Sequence, residues 1–187
     1  MNSFLSDPTI LRSGWTNGRV VLQDGRRSLL FEDPLQVVSI HKADEVENAL
    51  GYITSQVKEQ GLYAAGFMTY EAAAAYDLAT HQPPSDSLPL LWFGLFERPQ
   101  EVEVLVLPYG EYQVGEWEAA VDWPAYSSAI AAIKSYIAQG HTYQVNYTMP
   151  LSASYTGDPW ALYRDLTQSQ QAQFMAYLDL GRFVICS

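Results

Sequence analysis

GHTYQVNYTMPL, residues 140–151, alternates strictly: Tyr143, Val145, Tyr147, Met149 and Leu151 fall at every second position, with Gln144, Asn146 and Thr148 between them. Such alternation marks a strand with two unlike faces. A solvated face usually carries Lys and Glu, whereas this one carries two amides and a hydroxyl. The stretch follows a helix pattern. Asp122 can cap it, Pro124 suits its first turn, and Tyr126, Ile130, Ile133 and Ile137 share one stripe. Gly140 stands where a left-handed C-cap is wanted. Beyond a turn at 155–157, Asp158-Pro159 opens another helix with Leu162 and Leu166 on one face. Residues 174–178 and 183–186 then read as a hairpin around Asp179-Leu180-Gly181.

Upstream, residues 19–22 and 28–31 flank Asp24-Gly25, a strong hairpin dipeptide, and 37–40 reads as a short strand. From Asp44, taken as an N-cap, Val46, Leu50, Ile53 and Val57 mark one helix face that Gly61 closes. Residues 62–70 return to strand character, with Gly66 marking a bulge or a close backbone approach. Residues 90–96 and 102–107 read as a hairpin; 81–89 is the clearest loop and 108–118 a polar connector. Strands and helices joined largely by antiparallel hairpins give the α+β class.

An apolar share of 48% and a charged share of 17% suit a globular chain. A net charge of −11 argues against nucleic acid or an anionic membrane as partner, since both demand clustered Lys and Arg. The single cysteine, Cys186, excludes an intrachain disulfide and points to a reducing compartment. The first residues lack the basic and apolar regions of a signal peptide, and no apolar run approaches the roughly 20 residues of a membrane span. The expectation is a cytoplasmic protein.

Chemistry is scarce in these residues. His41, His81 and His141 stand far apart, none at helical spacing from another His or Cys, and no phosphate-cradling or nucleophile-elbow motif occurs. Glu71 and Asp77 flank EAAAAYD at a spacing that suits capping or solvation, and Cys186 in an apolar run reads as core. No catalytic residue and no metal ligand is assigned.

The order of these pieces resembles a known family. The helix 126–137, Gly140 and Tyr143-Gln144-Val145-Asn146 are similar to the chorismate-utilising enzymes, and within them to the aminodeoxychorismate synthase component I branch. Asn146 favours that branch, because anthranilate synthases usually carry an aliphatic or aromatic residue there. FEDPLQVV (31–38), AAGFMTYEAAAAYD (64–77), LPLLWFGLF (88–96), SYTGDPWALYRDL (154–166) and QFMAYLDLGRFVICS (173–187) extend the resemblance in order. Two departures stand out: His141 replaces the usual Asp, and Gln171-Ala172-Gln173-Phe174 replaces an Asn- and Pro-rich pattern.

The resemblance implies two packed, mainly antiparallel sheets with outer helices. It implies that residues 1–187 are the amino-terminal portion of one chorismate-binding-type domain, with 121–187 the start of the conserved region and the catalytic remainder absent. This chain is then expected to be inactive by itself. For the full-length enzyme it implies chorismate as substrate, Mg²⁺ as cofactor with ligands outside this chain, and a glutamine amidotransferase subunit or domain as ammonia source. The short amino terminus also matches versions fused to an aminodeoxychorismate lyase domain. Some relatives hold tryptophan between the sheets, which makes Tyr143, Asn146, Phe174 and Met175 the candidate ligand-pocket residues. Gln144 and Asn146 otherwise tie the sheet to a neighbouring loop, and that structural reading is preferred. The alternatives are an anthranilate or isochorismate synthase fragment and a non-catalytic ligand-binding module.

Overall fold

The computed structural model describes residues 18–25, 27–81, 87–103, 107, 109–170 and 172–187. In chain order come β1 (Arg19–Asp24), β2 (Arg27–Phe31), β3 (Gln36–Ile40), α1 (Val46–Gln60), β4 (Tyr63–Met68), β5 (Leu91–Phe96) and β6 (Gln100–Val102). Then follow β7 (Tyr112–Val114), β8 (Glu118–Ala119), α2 (Trp123–Ala138), β9 (Leu151–Ser152) and β10 (Tyr155–Gly157). The chain ends with α3 (Pro159–Gln170), β11 (Phe174–Asp179) and β12 (Val184–Cys186). It divides into two compact units, Met1–Pro108 with Leu162–Ser187, and Tyr109–Ala161.

The first unit holds two antiparallel sheets, β12-β11-β1-β2-β6 and β3-β5-β4. Period-two alternation on β5 explains how they stack. Leu91 and Leu95 face one way, into a core with Val38, Ile40, Val46, Ala49 and Ile53 that α1 covers. Trp92 and Phe96 face the other way and meet Val20, Phe31 and Leu178 of the larger sheet. On the far side of the larger sheet, Tyr163 of α3 lies 5.4 Å from Tyr177, ring centre to ring centre. Two packed antiparallel sheets with helices outside them make this the expected α+β architecture.

Local chemistry fixes much of it. Gly25, at φ +57°, turns β1 into β2, and Gly61, at φ +67°, closes α1. Gly66 is opposite Phe93 in the register, and a Cβ there would lie 2.7 Å from the Phe93 Cα. The close-approach reading of Gly66 holds.

Four expectations for this unit need correction. Asp44 is not the N-cap: the chain leaves β3 through a 3-10 turn, Ala43–Glu45, and Glu45 takes the cap position without a side-chain bond. Val57, placed on the buried helix face, is 37% exposed, while Ala49 supplies the buried contact instead. Residues 69 and 70 leave the strand, since a 3-10 helix begins at Tyr70 and runs to Tyr76. The hairpin between 90–96 and 102–107 does not form. β3 and β4 occupy both edges of β5, so β6 pairs with β2 instead. Residues 104–106 of that hairpin and 82–86 of the 81–89 loop lie outside the described residues.

In the second unit the helix ends read correctly. Asp122 Oδ1 accepts from the Ala125 N–H at 2.9 Å, with Pro124 in the first turn. At the other end Gly140 adopts φ +77°, its N–H reaches the Ile137 carbonyl, and the His141 N–H reaches Tyr136. That is a full Schellman closure. Asp158 opens α3 by accepting from the Trp160 N–H at 3.0 Å, and its other oxygen accepts from Gly110 at 2.6 Å.

The strand of 143–151 does not form as expected. Regular structure begins at Leu151, and Tyr143 is 92% exposed. No described strand pairs with residues 142–150, whose backbone reaches another segment through the Ala120 N–H to Pro150 carbonyl bond. The α2 stripe is likewise unburied, with Ile137 at 41% exposure. The turn placed at 155–157 is β10, and the polar connector contains its partner β7. On α3 the buried side chains are Trp160, Ala161, Tyr163, Arg164 and Thr167, while Leu162 and Leu166 are half-buried. Among the described residues no helix is long and apolar enough to cross a membrane.

Candidate functional site

The larger sheet of the first unit carries a groove of about 430 Å³, within the size range of small-molecule sites. Along β1 the apolar face opens to solvent: Val20 is fully buried, and Leu22, two residues on, is 37% exposed. The register sets Leu29 and Ala176 on either side of Leu22. These three make an apolar floor. One row further, Asp24 stands between Arg27 and Phe174 and brings charge to the rim.

The rim charges are solvated and loosely tied. Arg27 lies 3.5 Å from the Glu101 carboxylate, and Gln173 Nε2 is 3.5 Å from Asp24 Oδ1. Gln23, which also borders the groove, donates to the Gly25 carbonyl at 3.3 Å. Its Oε1 is buried without a hydrogen-bond partner among the described residues. The arrangement offers an apolar slot with an anion and a cation at its border. It suits a small amphipathic ligand carrying both charges.

Of the four candidate residues, the groove takes in Phe174 and Met175. As neighbours on β11 they point to opposite faces. Phe174 is 68% exposed on the rim, whereas Met175 is buried. Tyr143 and Asn146 belong to the second unit, where both are exposed. Asn146 Oδ1 accepts from Gln144 Nε2 at 3.2 Å, so the two amides tie each other. Among the described residues neither side-chain amide shares a hydrogen bond with a neighbouring loop.

The sequence places Leu22, Asp24 and Leu29 in a hairpin but does not mark them, or Arg27, as groove residues. Only the β1–β2 register reveals them: it sets Asp24 opposite Arg27, beside a Leu22 that is 37% exposed.

Behind β11, burial pushes the Cys186 thiol up to about 11. Burial, and then the neighbouring Cys186, push the Tyr163 hydroxyl up to about 12. Both groups are therefore protonated and unreactive near neutral pH. Among the described residues no group of three His, Cys, Asp or Glu side chains is placed to hold a metal ion.

Comparison with known proteins adds identity to this geometry. The chain is similar to the aminodeoxychorismate synthase component 1 of Bacillus subtilis, 29% identical over 137 residues, covering 64% of this chain and 28% of the relative. The corresponding protein of Klebsiella aerogenes is 31% identical over 71 residues, 38% of this chain and 16% of the relative. The anthranilate synthase component 1 of Thermus thermophilus is 40% identical over 63 residues, 34% of this chain and 14% of the relative. The aligned stretches thus span no more than 28% of these relatives' length. With the family model for the chorismate binding enzyme matching residues 14–187, the chain belongs to the chorismate-binding enzyme family.

Proposed function

We propose that the full-length protein aminates chorismate to 4-amino-4-deoxychorismate, on the route to para-aminobenzoate and folate. The observation that carries this reading is the 137-residue similarity to the Bacillus subtilis aminodeoxychorismate synthase component 1. Asn146 supports the same branch through the resemblance described above. In this reading a glutamine amidotransferase subunit or domain supplies ammonia, and a fused lyase domain is compatible with it. Mg²⁺ supplies charge neutralisation at the substrate carboxylate when bound, from ligands other than the residues described here. The contribution of these 187 residues is the two-sheet scaffold.

A specific observation favours a second reading. The Thermus thermophilus relative, named anthranilate synthase component 1, is 40% identical over its shorter match. Product analysis separates the two. Full-length protein given chorismate, Mg²⁺ and ammonium is expected to yield aminodeoxychorismate; anthranilate as product would overturn the assignment. The 187-residue chain alone is expected to give nothing above the no-enzyme control, and any turnover would place catalytic groups within it.

The groove is proposed as a regulatory or structural site for a zwitterionic amino acid of the tryptophan class. Asp24 would face the ammonium, Arg27 the carboxylate, and Phe174 the side chain. A ligand that binds the folded state alone raises the melting temperature, by roughly 5–10 °C at a hundredfold excess over Kd for a chain of this size. Phe174→Ala is expected to remove most of that rise while leaving the ligand-free melting temperature within about 2 °C, as exposed positions do. No tryptophan-induced rise in the unsubstituted protein would sink the groove assignment but leave the amination assignment standing.

A further inference from the structure

We draw no further inference here: the strongest candidate, the unburied apolar face of α2 together with the stretch 142–150 that follows it, has nothing in the structure to show what covers it.

Discussion

β5 and the stretch 142–150 make an instructive pair. Both are rich in aromatic and branched side chains, and the second alternates more cleanly than the first. Yet β5 is laddered on both edges and buried on both faces, while 142–150 is irregular, mostly exposed and unladdered among the described residues. Alternation states which way side chains point once the backbone is extended. It does not supply the neighbour. A strand's stability resides in cross-strand pairs and the surface they cover, both of which are properties of the partner.

The same contrast runs through the two units. In the first, α1 and two sheets enclose two clusters of buried side chains. In the second, no residue from Tyr109 to Pro159 is buried, and from Trp123 to Gly157 the charged side chains come down to Lys134. Paired truncations should expose this difference most strongly. Phe96 is 1% exposed, with its ring 5.3 Å from that of Phe31. Phe96→Ala is expected to cost about 3–5 kcal/mol, seen as a lower denaturation midpoint at constant slope. Ile133→Ala on α2 should cost less than about 1 kcal/mol, because the side chain is only half-buried. Equal losses would break the comparison and show that α2 is covered in solution.

The next test stays inside the first unit and is chemical. With its thiol pushed up to about 11 against an ordinary 9.0, folded Cys186 holds roughly a hundredfold less thiolate at pH 8 than the unfolded chain. Alkylation at that pH should slow by a similar factor on folding, and a rate equal to that in denaturant would show that the β12 edge opens freely. Stability follows the same logic. Cys186 and Tyr163 are neutral when protonated, and both titrate higher when folded, so the unfolded chain loses its protons first. Their contribution is fully present below about pH 9 and is lost as pH rises through 11 to 12. A midpoint that held constant from pH 8 to 11 would contradict the burial of both groups.

What could be read from the sequence divides along the same line. Asp24-Gly25, Gly61, Asp122 and Gly140 announce themselves because a turn or a cap is decided within a few residues. The partners of β6, β7 and β10 do not, since each pairing joins segments far apart in the chain: Ser28 with Val102, Gln113 with Thr156. Short strands in polar sequence carry almost no periodic signal of their own. The groove follows suit. Phe174 and Met175 came through family resemblance, whereas Leu22, Arg27 and Leu29 matter only after the β1–β2 register has set them side by side.

Asn146 gives the smallest expected effect and the finest test of the pairing lesson. Had 142–150 been a buried strand, deleting this amide would have left its partners unsatisfied at a cost of about 1–3 kcal/mol. In the structure Asn146 is exposed and its hydrogen bond goes to Gln144, two residues away at 3.2 Å, where water replaces either amide readily. Asn146→Ala should therefore shift stability by less than about 0.5 kcal/mol, within the range of ordinary surface changes. Tryptophan-induced stabilisation, if carried by the groove at Phe174, should survive the substitution. A fall of 1 kcal/mol or more would mean that the stretch finds a ladder in solution. Loss of the tryptophan response at an unchanged midpoint would instead bring Asn146 into the ligand site, returning its polar face to the role that the resemblance first suggested.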